Sequence, residues 1–311
     1  MTHELAIAVS RVSQAETFFR GQRLFLGKDA LSRYLEGMYE NPLALTRLGI
    51  VSYLYFGNSF CQYRLPSVNE IRDALALCEI HNLQFVLVTP PLNDVGIAQC
   101  QTYLDALKEA KQTVPVVVND LGFLTLLRTH HYPGEIIWGR VLDRTTRDAR
   151  MTVTERRLYY SASGYNYALS LASTSESYRQ ILAQWGVTRI QYDCASYPLC
   201  GGDFHYDLIY PTEYLTTGRI CLFRTATQTG NHQFSIRDGC VRSCQDFMEL
   251  LERPADRVML QEDDSRALSL KVVRYGNTLF CLHANLHLPS GIDRVVVDLD
   301  LVPNPSFSLK R

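Results

Sequence analysis

Residues 50–57, IVSYLYFG, form an apolar run rich in β-branched and aromatic residues and closed by a glycine, which reads as a buried strand. PSVNE at 66–70 then opens a helix, with Ser67 at the N-cap and Glu70 three residues on to complete a capping box. LQFVLV at 83–88 returns as a second buried strand. Continuous apolar strands joined through a helix are the unit of a parallel sheet covered on its faces.

The same rhythm extends in both directions. Towards the start, Glu4 to Val9 reads as a strand and Ala15 to Phe19 as a short helix. Leu24 to Leu26 reads as a short extended piece, and Asp29 as the cap of a helix through Tyr34 to Met38. Downstream, Gly96 to Lys111 places Ile97, Cys100, Leu104 and Leu107 on one helical face. VPVVVND from Val114 is a strand, Leu121 to Leu127 a helix, Glu135 to Trp138 a strand, and Leu158 to Ser161 an extended segment. Ser173 and Glu176 suggest a second capping box, for a helix that runs to Trp185 and stops at Gly186; Val187 to Tyr192 is the next strand. The strand count nears eight and no GxGxxG follows the first strand. The expected fold is therefore α/β, a (β/α) TIM-like barrel rather than a Rossmann sheet.

After Cys244 the pattern changes. Leu268 to Leu282, with Gly276-Asn277 at its centre, reads as a β-hairpin, and Ile292 to Leu299 as one more strand. That strand belongs either to a small C-terminal β-rich extension or to the barrel's closure. The working division is a barrel over residues 1–250 carrying a cysteine site and a β-rich extension over 251–311, with no Pro-rich or low-complexity linker between them.

Composition limits the function classes. A net charge of −1 offers no basic field for bulk nucleic-acid binding. No apolar run approaches the ~20 residues of a membrane span, and the opening MTHELAIAVS lacks a secretory pattern, so a cytoplasmic chain is expected. Nine cysteines, an odd number, point to thiols and metal sites rather than a disulfide framework.

Three cysteines, Cys221, Cys240 and Cys244, follow a Thr- and Tyr-rich strand-like stretch from Tyr210. The Cys-x3-Cys spacing turns two sulfurs to one side of a helical turn or tight loop, and soft thiolates select zinc, Cu(I) or iron–sulfur centres. Cys61 follows the strand at 50–57 and so lies at the catalytic end of a barrel, either as the fourth ligand or as a buried thiol. Cys194 and Cys200 are rival ligands, and His205 and His232 lie in loops expected near the cysteines. Cys78 and Cys100 fall on apolar helix faces, Cys281 falls in the hairpin, and His130 and His131 at a helix end. Asn119 and Asp120 follow a strand and read either as pocket residues or, for Asp120, as a helix cap. Arg140 and Arg144, in GRVLDRTTRDAR, could hold a carboxylate or pair with nearby aspartates.

Taken in order, YLYFGNSFCQYR, VVVNDLG, GRVLDRTTRDAR and the Cys221…Cys240-x3-Cys244 block resemble the collagenase-like peptidase family U-thirty-two, over about residues 45–250. The likeness is nearest to its short members of the anaerobic ubiquinone-biosynthesis UbiV/UbiU type. It implies a barrel-like fold and a 4Fe-4S cluster on Cys61, Cys221, Cys240 and Cys244. It also implies a homologous partner subunit in a heterodimer and an oxygen-independent hydroxylation, with a small-molecule substrate of the prephenate kind. Asn119, Asp120, Arg140 and Arg144 would then line the pocket. In those relatives the first late cysteine lies nearer the pair, close to where this chain has Thr227 and Gln228, which leaves Cys194, Cys200 or a histidine as a substitute for Cys221. Alternatives are a non-catalytic cluster-carrying subunit, a zinc protein, or a true peptidase. For the last, no HExxH or GxSxG is present.

Overall fold

A computed structural model describes residues 3–20, 50–143, 172–193, 204–226, 240–245, 248–251, 271–282 and 290–300. The expected segments at 24–38 and 158–161 lie outside these residues, as do Arg144, Cys194, Cys200 and His232.

Eight parallel strands close a barrel in the order β1, β12, β7, β6, β5, β4, β3, β2. They are β1 (Glu4–Val9), β2 (Val51–Gly57), β3 (Gln84–Val88), β4 (Val116–Val118), β5 (Ile136–Trp138), β6 (Val187–Asp193), β7 (His205–Tyr210) and β12 (Arg294–Asp298). Closure runs through β1 and β12, from Glu4 opposite Arg294 to Ala8 opposite Asp298. A four-stranded antiparallel sheet, in the order β8, β11, β10, β9, is built from β8 (Thr212–Thr217), β9 (Glu249–Leu251), β10 (Lys271–Tyr275) and β11 (Thr278–Leu282). The small sheet thus enters the chain between the seventh and eighth barrel strands. A single cut at residue 250 does not separate sheet from barrel, and of the two roles open to the last strand the structure gives it closure.

Local chemistry explains the outer helices. After α1 (Val12–Phe19), in α2 (Val68–His81) the Ser67 hydroxyl accepts from the Glu70 N–H and the Glu70 carboxylate from the Ser67 N–H, the capping box expected. Asn93 caps α3 (Asp94–Glu109), and Asp120 caps α4 (Leu121–Thr129). Their inward faces bury Ile71, Ala74, Leu77 and Cys78, then Cys100, Tyr103 and Leu107, then Phe123, Leu124 and Leu127. Cys78 and Cys100 are core residues, as their faces require, and burial pushes each thiol up to about 12.

The second capping box does not form. Ser173 lies in the one-turn helix Ala172–Thr174, where its N–H and hydroxyl both donate to Asp143. Ser175 takes the N-cap position of α5 (Glu176–Gln184) without a side-chain bond, and Glu176 pairs with Arg179 instead. A buried carboxylate with two donors to gain outcompetes a surface cap. Gly186 does stop the helix, at φ +77°.

Inside the barrel, Tyr53, Tyr55, Val86, Val117, Ile137, Ile209 and Val296 fill the middle. Below them Asp207, fully buried, takes a 2.9 Å bond from Arg189 and a bond from the Tyr55 hydroxyl. Arg294 donates to Tyr55 at 2.7 Å and to Glu4, and lies 3.4 Å above the Tyr53 ring. Burial holds the Tyr55 hydroxyl well above its ordinary value, so it remains a donor. This charged layer lies at the strand N-termini, the end of a barrel that serves stability.

Gly57 ends β2 at φ +133°, and a Cβ there would lie 2.1 Å from the Val88 carbonyl oxygen on β3. Gly57→Ala therefore combines backbone strain with a backbone clash and is expected to cost roughly 2–5 kcal/mol in urea unfolding. An unchanged midpoint would show that the β2 end does not need glycine.

Candidate cysteine centre

The loop after β2 is shaped by one side chain. The Asn58 amide oxygen accepts from the Phe60 N–H at 3.0 Å and the Cys61 N–H at 2.8 Å, turning the chain so that Cys61 starts the one-turn helix Gln62–Arg64. Because β2 is parallel to the rest, this loop lies at the C-terminal mouth of the barrel.

The small sheet brings the other cysteines to the same loop. Cys221 precedes the short helix α6 (Leu222–Ala226) and accepts from the Thr225 N–H through its carbonyl at 2.9 Å. Cys244 lies in the turn Ser243–Gln245, which packs against α6. Arg242, at φ +57°, folds the Cys-x3-Cys segment back and donates its N–H to the Cys240 sulfur at 3.4 Å. Its guanidinium reaches the Leu65 carbonyl at 3.2 Å, beside the Cys61 loop, while Arg11 holds the Gln245 carbonyl at 3.2 Å. The β10–β11 turn completes the enclosure: a Cβ on Gly276 would be 3.5 Å from the Cys244 sulfur.

All four thiols are outside disulfides. Burial raises the Cys61, Cys221 and Cys244 thiols, that of Cys244 to about 12, and neighbouring cysteines add to each rise. Cys61 is raised further by Cys221 and Cys240, and Cys244 by Cys61, Cys221 and Cys240. Arg64 opposes the rise at Cys61 and Cys244. Among the described residues, no three His, Cys, Asp or Glu side chains are drawn together as one metal ion would require. Four cysteine thiolates are the ligand set of a 4Fe-4S cluster, in which each binds a separate iron, and equally of a tetrahedral zinc ion, which draws all its sulfurs to ~2.3 Å from one centre.

Of the residues predicted to line a pocket, Asn119, Asp120 and Arg140 are described, and each makes bonds within the fold. The buried Asn119 donates to the Thr89 carbonyl at 2.8 Å and accepts from the Val141 N–H at 3.1 Å, bracing the ends of β3 and β5. Asp120 is the α4 cap, accepting from the Phe123 N–H, and also takes the Leu92 N–H. Arg140 does reach the mouth, but it is already matched: it binds Asp193 at 3.1 Å, Asp298 at 2.9 Å and Thr212 at 2.8 Å, and lies 4.7 Å from the Phe60 ring. Burial works against its charge, yet the two aspartates outweigh burial and raise its pKa. His205 opens β7 at the opposite end of the barrel, paired with Asp293, because a parallel strand begins at the bottom. His130 ends α4 as expected, and Cys281 is buried in β11.

Two cavities border this arrangement. One, of about 40 Å³, occupies the mouth between Asn58, Arg64, Arg140, Gln191, Asp298 and Asp300, and none of the four cysteines lines it. The other, of about 260 Å³, lies outside the mouth between Cys61, Tyr63, Pro91, Asn93, Arg219 and Asn277. The wider cavity is the one that borders a candidate ligand. Arg64 and Asp300 were not singled out in the sequence; an arginine three residues after a mouth cysteine was the signal available for the first.

Arg140→Met would leave Asp193 and Asp298 buried without their shared cation, at an expected cost of about 3–5 kcal/mol in urea unfolding. A residue serving only as a substrate clamp would change stability by under ~0.5 kcal/mol. Searches against models of known protein families, curated proteins and solved structures each found no match.

Proposed function

We propose that this chain is an iron–sulfur protein in which Cys61, Cys221, Cys240 and Cys244 hold a 4Fe-4S cluster beside the barrel mouth. Its role in this reading is that of the family it resembles, an oxygen-independent hydroxylation carried out with a homologous partner subunit. The observation that carries the proposal is that three chain segments, the Cys61 loop, the start of α6 at Cys221 and the Cys240–Cys244 turn, bring four thiols to the C-terminal end of the barrel. When bound, the cluster would supply one-electron chemistry.

The chain's own residues have definable parts. Asn58 orients Cys61 through two backbone bonds, and Arg242 ties the Cys240–Cys244 turn to the Cys61 loop. In this reading a small substrate occupies the 260 Å³ cavity that Cys61 borders, beside Tyr63, Pro91 and Arg219. Arg140 is not assigned to a substrate carboxylate, since two aspartates already neutralise it. Among the described residues no helix is long and apolar enough to cross a membrane.

The test is anaerobic purification with iron, sulfide and visible-spectrum analysis of the native chain and of Cys61→Ala, Cys221→Ala, Cys240→Ala and Cys244→Ala. The native chain is expected to carry about four irons with broad absorption near ~400 nm, and each substitution to lower both. Full iron in Cys221→Ala alone would move that ligand elsewhere. A native chain without iron would overturn the proposal.

A further inference from the structure

We infer that Arg64 is a positioning residue of the cysteine centre, whose buried charge sets how readily that centre accepts an electron and links this property to the barrel mouth. The inference rests on the cluster reading above and adds to it a residue outside the ligand set.

Arg64 stands between the two regions. It closes the one-turn helix that Cys61 begins, with its N–H bonded to the Cys61 carbonyl at 3.0 Å. Its side chain is only 4% exposed. The guanidinium donates to Asp300 at 2.9 Å, Ser10 at 2.6 Å and the Tyr275 hydroxyl at 3.0 Å, and lies 4.6 Å from the centre of the Tyr275 ring. Tyr275 precedes Gly276, which packs against Cys244, so the same contacts carry Arg64 from the Cys61 loop to the neighbourhood of Cys244. The guanidinium is a permanent cation, and Asp300 is its counter-ion at 2.9 Å.

Asp300 is the second half of the device. It lines the mouth cavity and receives Arg64, the Asn58 amide, and the N–H and hydroxyl of Ser10. Asn58 in turn sets the Cys61 backbone. A solute bonding to Asp300 would alter how much of the Arg64 charge remains uncompensated, and the Asn58 bridge would carry any movement to the Cys61 loop.

The electrostatics have a sign. One-electron reduction, with dithionite as donor, adds one negative charge to the centre. A buried cation nearby favours that reduced state, and the low-dielectric surroundings enlarge the effect. Removing the cation should lower the midpoint potential; removing its counter-ion should raise it.

The experiment is a dye-mediated anaerobic redox titration of the iron-loaded full chain, followed by visible and electron paramagnetic resonance spectra. Arg64→Gln is expected to shift the reduction equilibrium roughly tenfold towards the oxidised state, 59 mV for one electron. Asp300→Asn should shift it the opposite way, and Arg64→Lys, which keeps the charge, should stay closer to the native chain than Arg64→Gln. Opposite signs would not follow from a general loosening of the fold. If Arg64→Gln sheds its iron, the sign in Asp300→Asn decides. Native-like equilibria in Arg64→Gln and Asp300→Asn, with iron retained, would overturn the inference while leaving the cluster reading intact. Loss of iron in Arg64→Lys would overturn it too, by making the side chain's shape rather than its charge the requirement. A native chain with no iron would remove the cluster reading and this inference together.

Discussion

Parallel pairing of the first strand with the last, Glu4–Ala8 against Arg294–Asp298, is the constraint on which the rest depends. It closes the barrel and commits the chain between Tyr210 and Arg294 to leave and re-enter at fixed places. β7 ends at the mouth, so the excursion begins there with Tyr210-Pro211 and returns below, at the start of β12. The small sheet is therefore anchored over the C-terminal end of the barrel by β8. Its connections deliver Cys221 and Cys244 beside the loop that carries Cys61. Without closure, four cysteines scattered over residues 61–244 would have no common location.

Charge then fixes the mouth. Arg140 joins the end of β5 to those of β6 and β12 through Asp193 and Asp298, and reaches β8 through Thr212. Arg64 joins the Cys61 loop to Asp300, just beyond β12, and to Tyr275 in the small sheet. Each arginine is buried and answered by carboxylates, the arrangement in which removal of one partner is costly and the geometry is held tightly. The barrel's opposite end repeats the device with Arg189, Asp207 and Arg294. A charged layer above and below an apolar middle gives this barrel its interior.

Much of the barrel was legible because buried parallel strands are continuous apolar runs: β1, β2, β3, β5 and β6 fall where their Val, Ile and Phe stretches lie. β7, HYDLIY, was not read, since Asp207 breaks its apolar run. That aspartate faces the interior, where Arg189 and Arg294 meet it, and sequence spacing gives no sign of such long-range pairing. Ser173 shows the converse. Its spacing to Glu176 fits a capping box, but the distant carboxylate of Asp143 claims it. For the site, order along the chain was enough to place Cys61 at the mouth. The duties of Arg140 and Asn119 depended on partners 53 and 30 residues away, which no local pattern encodes. Asp120 read equally as cap or pocket residue, and its local geometry chose the cap.

The most direct test of the account is X-ray absorption at the iron and zinc edges on anaerobically prepared protein. The cluster reading predicts an iron edge with a sulfur shell and a second shell of neighbouring iron. A zinc edge with four sulfurs in a single shell at ~2.3 Å would contradict it, since that requires the sulfurs to meet around one ion.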